Sequence, residues 1–174
     1  MIGLKTLPVL ILVAVRLLFL APGCTVGLNG SKIPDELKTI NIGFFENNAT
    51  LVVSTLSTQF TEALKERVRS TTRLSIVNGE GDARISGTIT DYRIAPISIQ
   101  ATNSNTAPIA GASQLSITVH VKFVYDKDKK FNFEKDFTKT MNYTGDISTQ
   151  EQTLIIAINK QIIDDIFTAA FDNW

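Results

Sequence analysis

The residue types that most often carry acid–base, nucleophilic or metal chemistry are scarce in this chain. His120 is its only histidine and Cys24 its only cysteine. A single thiol cannot close an intramolecular disulfide, and a nitrogen- and sulfur-ligated metal site needs donors that the chain lacks. His120 lies on the polar side of an alternating run and reads as a solvated side chain. No serine sits in a G-x-S-x-G nucleophile elbow, and no G-x-x-x-x-G-K-[ST] phosphate cradle occurs. Glu134 and Asp136 stand two apart on an expected strand, so they share a face. That geometry suits paired-carboxylate chemistry, and it equally suits a wetted sheet surface. Asp164 and Asp165 are neighbours on an expected helix and point about 100° apart, so they do not converge. The stretch Asn78–Asp82 lacks the ligand spacing of an EF-hand and reads as a turn. The expectation is a protein without catalytic residues, cofactor or metal.

Cys24 has a different context. Lys5 opens the chain, "LPVLILVAV" (Leu7–Val15) is an apolar core, and Gly23 precedes the cysteine. A basic start, an apolar stretch and a small residue at the cleavage point form an export signal. Leu20-Ala21-Pro22-Gly23-Cys24 is similar to a lipobox, in which the cysteine becomes the acylated first residue of the mature chain. The expected organisation is a signal peptide over 1–23, a lipidated tether over 24–36 and one domain over 37–174. A signal anchor and plain secretion are the alternatives; Arg16 argues against a span, because arginine at a bilayer centre costs about 2.5–3.5 kcal/mol. Losing Lys5 and Arg16 with the signal leaves 15 basic against 17 acidic residues. So slightly acidic a surface excludes bulk electrostatic binding to nucleic acid.

The elements that must position these residues follow from periodicity. "LKTINIGFFEN" alternates as a half-buried strand, and "STLSTQFTEALKERVRS" places Leu56, Phe60, Ala63, Leu64 and Val68 on one helical face, with Ser54 or Thr55 as cap. "TRLSIVN" reads as a short strand, and "RISGTITDYRIAPISIQA" as a long one bent near Pro96. A small-residue loop, "TNSNTAPIAGAS", leads to "QLSITVHVKFVYD", which sets Leu115, Ile117, Val119, Val121 and Phe123 against Ser116, Thr118, His120 and Lys122. After the turn "KDKK", "FNFEKDFTKTMNY" returns with Asn132, Glu134, Asp136, Thr138 and Thr140 on its polar side, completing a hairpin. The last segment begins with Ser148 and Glu151 at capping-box spacing. Its apolar stripe includes Leu154, Ile155, Ile156, Ile158, Ile162 and Ile163, and is so wide that either the sheet with the first helix or a partner must cover it. These elements, in the order β-α-β-β-β-β-α, give an α+β domain: two helices packed on one face of a mixed, mostly antiparallel sheet.

With these residues in place, a family resemblance emerges. The helix opening "TLSTQFTEALK", the pattern GD-x-x-x-SG-x-I-x-x-Y over Gly81–Tyr92, and the closing "DIF…NW" resemble the LptE family of lipopolysaccharide-assembly lipoproteins in its Bacteroidetes form. The resemblance covers about Leu37 to Trp174. It implies an outer-membrane lipoprotein, lipid-anchored through Cys24 and facing the periplasm. Its partner would be an LptD-type β-barrel, which it enters as a plug, and its role delivery of lipopolysaccharide to the outer leaflet. Such a plug needs a polar face for a polar lumen, which Asn132, Glu134, Asp136, Thr138 and Thr140 would supply. Lys127, Lys129 and Lys130 are then the candidate cations for glycolipid phosphates, and a solubilising turn is the alternative reading of them. A stand-alone periplasmic ligand-binding lipoprotein, with a cleft between helices and sheet, is the other functional reading.

Overall fold

The computed structural model describes residues 33–97 and 111–172. Cys24 and the signal, most of the tether, residues 98–110 (the end of the expected long strand and most of the expected small-residue loop) and Trp174 lie outside the described residues.

Three long strands form the body of the sheet. β4 (Ala83–Pro96), β5 (Ala112–Tyr125) and β6 (Phe133–Thr144) make an antiparallel meander. β1 (Thr39–Ile42) joins β4 in parallel, and β3 (Ser75–Ile76) joins the far side of β1, also in parallel. The order across the sheet is β3-β1-β4-β5-β6, with β2 (Glu46–Asn47) beside β4 farther along. The helices α1 (Leu56–Thr71) and α2 (Glu151–Phe171) cover one face, α2 over β5 and β6 and α1 toward the short strands. The architecture is the expected α+β arrangement of two helices on a mixed, mostly antiparallel sheet, with β2 as an added two-residue element.

The core is the helix-facing side of that sheet. Leu115, Ile117, Val119, Val121 and Phe123 of β5 are fully buried against Ile155, Ile158, Ile162 and Phe171 of α2 and Phe60 and Leu64 of α1. Burying one such side chain contributes about 1.5–3 kcal/mol relative to leaving it in water. Among the described residues, no helix is long and apolar enough to cross a membrane.

Local contacts correct several expectations. Ala63 is exposed, whereas Thr61 is buried, because its Oγ1 accepts the Phe45 N–H at 3.1 Å. Ile156 is 58% exposed while Asn159, on the same helix, is buried. Neither Ser54 nor Thr55 caps α1: Thr55 is its N-cap residue but makes no side-chain cap. The capping box of Ser148 and Glu151 does not form either. Ser148 belongs to a short 3-10 turn capped by Asp146, and Glu151 instead accepts the Tyr92 hydroxyl at 2.7 Å. β5 begins at Ala112, two residues before the expected start. In β4 the ladder breaks at Thr90, between Ile89 and Asp91, and then runs on in register through Pro96 opposite Ser113.

The stretch Gly81–Tyr92 ties these pieces together. Asp82 Oδ2 accepts the backbone N–H groups of Lys38 (3.1 Å) and Thr39 (2.9 Å) and the Thr39 hydroxyl (2.8 Å), pinning the start of β1. Those bonds, that from the Thr39 hydroxyl first, hold its carboxyl below the usual range. At Gly87 the chain leaves room for Phe45, which packs on Phe60 with ring centroids 5.1 Å apart. A Cβ at position 87 would clash with the His120 carbonyl oxygen and stand 2.6 Å from Phe45 Cε1. Ile89 is buried in the core, and Tyr92 reaches across to Glu151 at the start of α2. Burial, followed by the Glu151 hydrogen bond, raises the Tyr92 phenol well above its ordinary pKa.

Gly87→Ala is therefore expected to destabilise the domain by about 1–3 kcal/mol, the usual range for overpacking. Urea unfolding measures it, and a change below about 0.5 kcal/mol, within the scatter of ordinary surface substitutions, would contradict this packing. Tyr92→Phe, which strands a carboxylate partner without altering shape, is expected to cost about 0.5–1.5 kcal/mol in the same assay.

Candidate interaction surface

The second face of the sheet carries no helix among the described residues. Strand alternation puts Glu134, Asp136, Thr138 and Thr140 of β6 on it, all exposed. The register sets each opposite a polar residue of β5: Lys122 faces Glu134, His120 faces Asp136, Thr118 faces Thr138 and Ser116 faces Thr140. Most of these pairs bond laterally. Lys122 Nζ donates to Glu134 Oε2 at 2.7 Å, the Thr118 and Thr138 hydroxyls are 2.9 Å apart, and Gln114 Nε2 donates to Asn142 Oδ1 at 2.9 Å. Such cross-strand pairs each contribute roughly 0.2–1 kcal/mol.

His120 is more constrained than a solvated side chain. Its Nδ1 is 2.7 Å from Asp136 Oδ1 and its Nε2 3.2 Å from Glu134 Oε1. Only the doubly protonated ring donates to both carboxylates. The hydrogen bond to Asp136, followed by that to Glu134, accordingly raises the histidine pKa, and Lys122 with His120 lowers that of Glu134. The three groups lie together on an open strand surface, and among the described residues no set of His, Cys, Asp and Glu side chains is arranged to hold a metal.

The opposite side of β6 explains why its lysines do not reach this surface. Lys135 Nζ sits 4.7 Å above the Phe137 ring, and Lys139 Nζ is 2.7 Å from Asp165 Oδ2 of α2. Asn132, expected on the polar row, falls in the turn before β6, where its Oδ1 accepts the Tyr125 N–H at 2.7 Å. The turn lysines go to separate partners. Lys127 Nζ donates to the Glu36 carbonyl at 3.3 Å, while Lys130 Nζ is 3.0 Å from Asp128 Oδ2 and 4.5 Å above the Phe131 ring. Lys129 is exposed in the 3-10 turn Lys129–Phe131.

The surface extends onto β4, which the sequence reading did not assign to it. Ser86 and Thr88 lie opposite Lys122 and His120, and beyond the irregularity at Thr90 the polar side shifts to Asp91 and Arg93. The signal was available: Ile85 and Ile89 are apolar at odd positions, and Tyr92 and Ile94 at even ones. That change of parity within one strand marks a bulge.

The LptE family, described as lipopolysaccharide-assembly, matches residues 37–170. The chain belongs to that family. The stretch Gly81–Tyr92, the structural tie already described, lies within the matched residues. No curated protein matches the LptE-family chain in sequence. Solved structures share its fold. A Xanthomonas campestris protein matches at 6% identity and a TM-score of 0.55, over 83% of this chain and 86% of the other. A neuraminyllactose-binding haemagglutinin homologue from Helicobacter pylori matches at 10% identity and 0.51, over 80% and 86%. The rare lipoprotein B of Shewanella oneidensis is also similar, at 10% identity and a TM-score of 0.44 over 76% and 90%.

The carboxylate clamp makes a signed pH prediction. Because the folded state favours protonated His120, its contribution to stability is complete below the ordinary histidine pKa of about 6.5 and is lost as pH rises through the raised value. An NMR titration of the sole histidine is expected to place its midpoint above 6.5, and Asp136→Asn to bring it down. A midpoint at or below the ordinary value would contradict the clamp.

Proposed function

We propose that this chain is a periplasm-facing lipoprotein of the outer membrane, acylated at Cys24, that seats its polar sheet face in an LptD-type β-barrel. There it assists lipopolysaccharide transport without turning over a substrate. Membership of the lipopolysaccharide-assembly family over residues 37–170 is the observation that carries this reading. The physical support is the open face of β4, β5 and β6. A barrel lumen is polar, and a surface of Thr118, Thr138, Thr140, Glu134 and Asp136 enters it without desolvating apolar area. Two acyl chains on one residue anchor stably, since each buried CH2 contributes about 0.8 kcal/mol.

Lys127, Lys129 and Lys130 remain the proposed contacts for glycolipid phosphates, with lysine acting as a point charge. Asp126 and Asp128 alternate with them, so any attraction is local to the turn.

Purification of the native chain in mild detergent is expected to bring a large β-barrel protein with it. Recovery of the chain alone would favour the stand-alone ligand-binding lipoprotein. Replacing the three lysines together by glutamine is expected to weaken binding to purified lipopolysaccharide with Tm unchanged, and equal binding would remove the lysines from the reading. Cys24→Ser is expected to move the protein from the membrane to the soluble fraction.

A further inference from the structure

β6 closes one side of the sheet, and among the described residues β5 is its only strand partner. It runs for 12 residues without glycine, proline or a break in register, where strands commonly run about 5–6 residues. Which backbone groups it leaves open follows from the far side of the sheet. The N–H groups of Gly43 and Asn48 bond to the carbonyls of Ile85 and Ile89, so these β4 residues point away from β5. Carried through the registers of β4, β5 and β6, that alternation leaves Glu134, Asp136, Thr138, Thr140 and Asn142 with their backbone N–H and C=O on the outer edge.

Proteins guard such an edge with short strands, prolines, bulges or lysines that stand over it. Here both lysines of the strand are drawn back. Lys135 Nζ lies 5.4 Å from the Phe133 ring and 4.7 Å from that of Phe137, and Lys139 pairs with Asp165. Between β6 and Ala169 of α2 lie two open depressions of about 370 and 360 Å3, both lined by Lys135. Phe133 borders the first and Phe137 the second, which with the Ala169 methyl gives each an apolar wall. An added strand presents every second side chain to that side, and pockets for alternate side chains are how strand addition gains specificity.

The other side of the edge is acidic. Glu134 and Asp136 remain 51% and 64% exposed beside Lys122 and His120 of β5. Opposite charges on adjacent strands stabilise the pair, so an added strand gains from lysine or arginine at these positions. A second copy of β6 does not supply them. Its acids lie on one face and its lysines on the other, so a two-fold pairing that keeps the faces continuous never sets an acid opposite a lysine.

We propose that the outer edge of β6 takes up an extended strand of a partner polypeptide, aliphatic on the α2 side and basic on the open side, through the backbone of Glu134, Asp136 and Thr138. The site does not rest on the barrel reading.

Amide hydrogen exchange of the 15N-labelled full-length chain, followed by NMR in phosphatidylcholine nanodiscs, reads this edge directly. The probe is the capped peptide Ac-Val-Lys-Val-Lys-Val-Thr-NH2, whose lysines share one face. At saturating peptide the Glu134, Asp136 and Thr138 amides are expected to exchange at least tenfold more slowly. Those of Lys135 and Phe137, which face β5, are expected to hold their rates. Glutamate in place of the two lysines, or N-methylation of their backbone nitrogens, is expected to weaken the peptide at least tenfold. Glu134→Gln with Asp136→Asn is expected to remove the advantage of the lysine peptide over the glutamate one. Unchanged exchange at the three amides would overturn the proposal. So would equal protection by the N-methylated peptide, which would mean adsorption without strand pairing. Protection that grows with protein concentration alone would do the same, by placing a second copy on the edge.

Discussion

The seat of Phe45 on Gly87 is the contact on which the rest of the domain depends. A parallel strand and its crossover helix have to be joined to an antiparallel meander, and no hydrogen-bond ladder spans that joint without interruption. Between β1 and β2 the chain leaves the ladder, and Phe45 turns into the space that a side chain at position 87 would fill. Its N–H, lost to the sheet, is taken by the Thr61 hydroxyl of α1, and its ring packs on Phe60. One residue thereby fixes the height of α1 above β4, and with it the place of the first half of the chain. Asp82 at one end of β4 and Tyr92 at the other hold β1 and α2 to the same strand.

With the helix layer fixed, the two faces of the sheet divide the labour. One is filled by aliphatic and aromatic side chains, so the wide apolar stripe of α2 is covered within the domain, apart from Ile156. The other is held by lateral polar pairs, Lys122 with Glu134, His120 with Asp136 and Thr118 with Thr138. Such a face is stable in water and equally compatible with a hydrated protein partner. Its groups are already paired along the strands, so docking exchanges solvent for partner without exposing an unpaired charge.

Most of this was legible in the residues. Strict alternation in β5 and β6 decided which side is buried and, Asn132 apart, which side chains line the open face, because a period of two leaves no other choice. What escaped was decided by tertiary partners. Thr61 is polar yet buried because the Phe45 N–H bonds to it, and Ala63 is apolar yet exposed at the open cleft between α1 and α2. Glu151 sits at capping-box spacing but bonds to Tyr92, 59 residues away in sequence. The pairing of His120 with two carboxylates required the register of β5 on β6, which a turn of uncertain length does not specify. β2 is two residues long, too short for any periodicity to announce.

The central claim is that the helix-free face of the sheet is the surface that meets a partner. A photoreactive amino acid at Thr138, compared with one at Glu62 on the solvent side of α1, tests it directly in living cells. The account predicts an ultraviolet-dependent crosslink from position 138 to a large outer-membrane protein, and little or none from position 62. Crosslinking from position 62 alone, with position 138 silent, would contradict it.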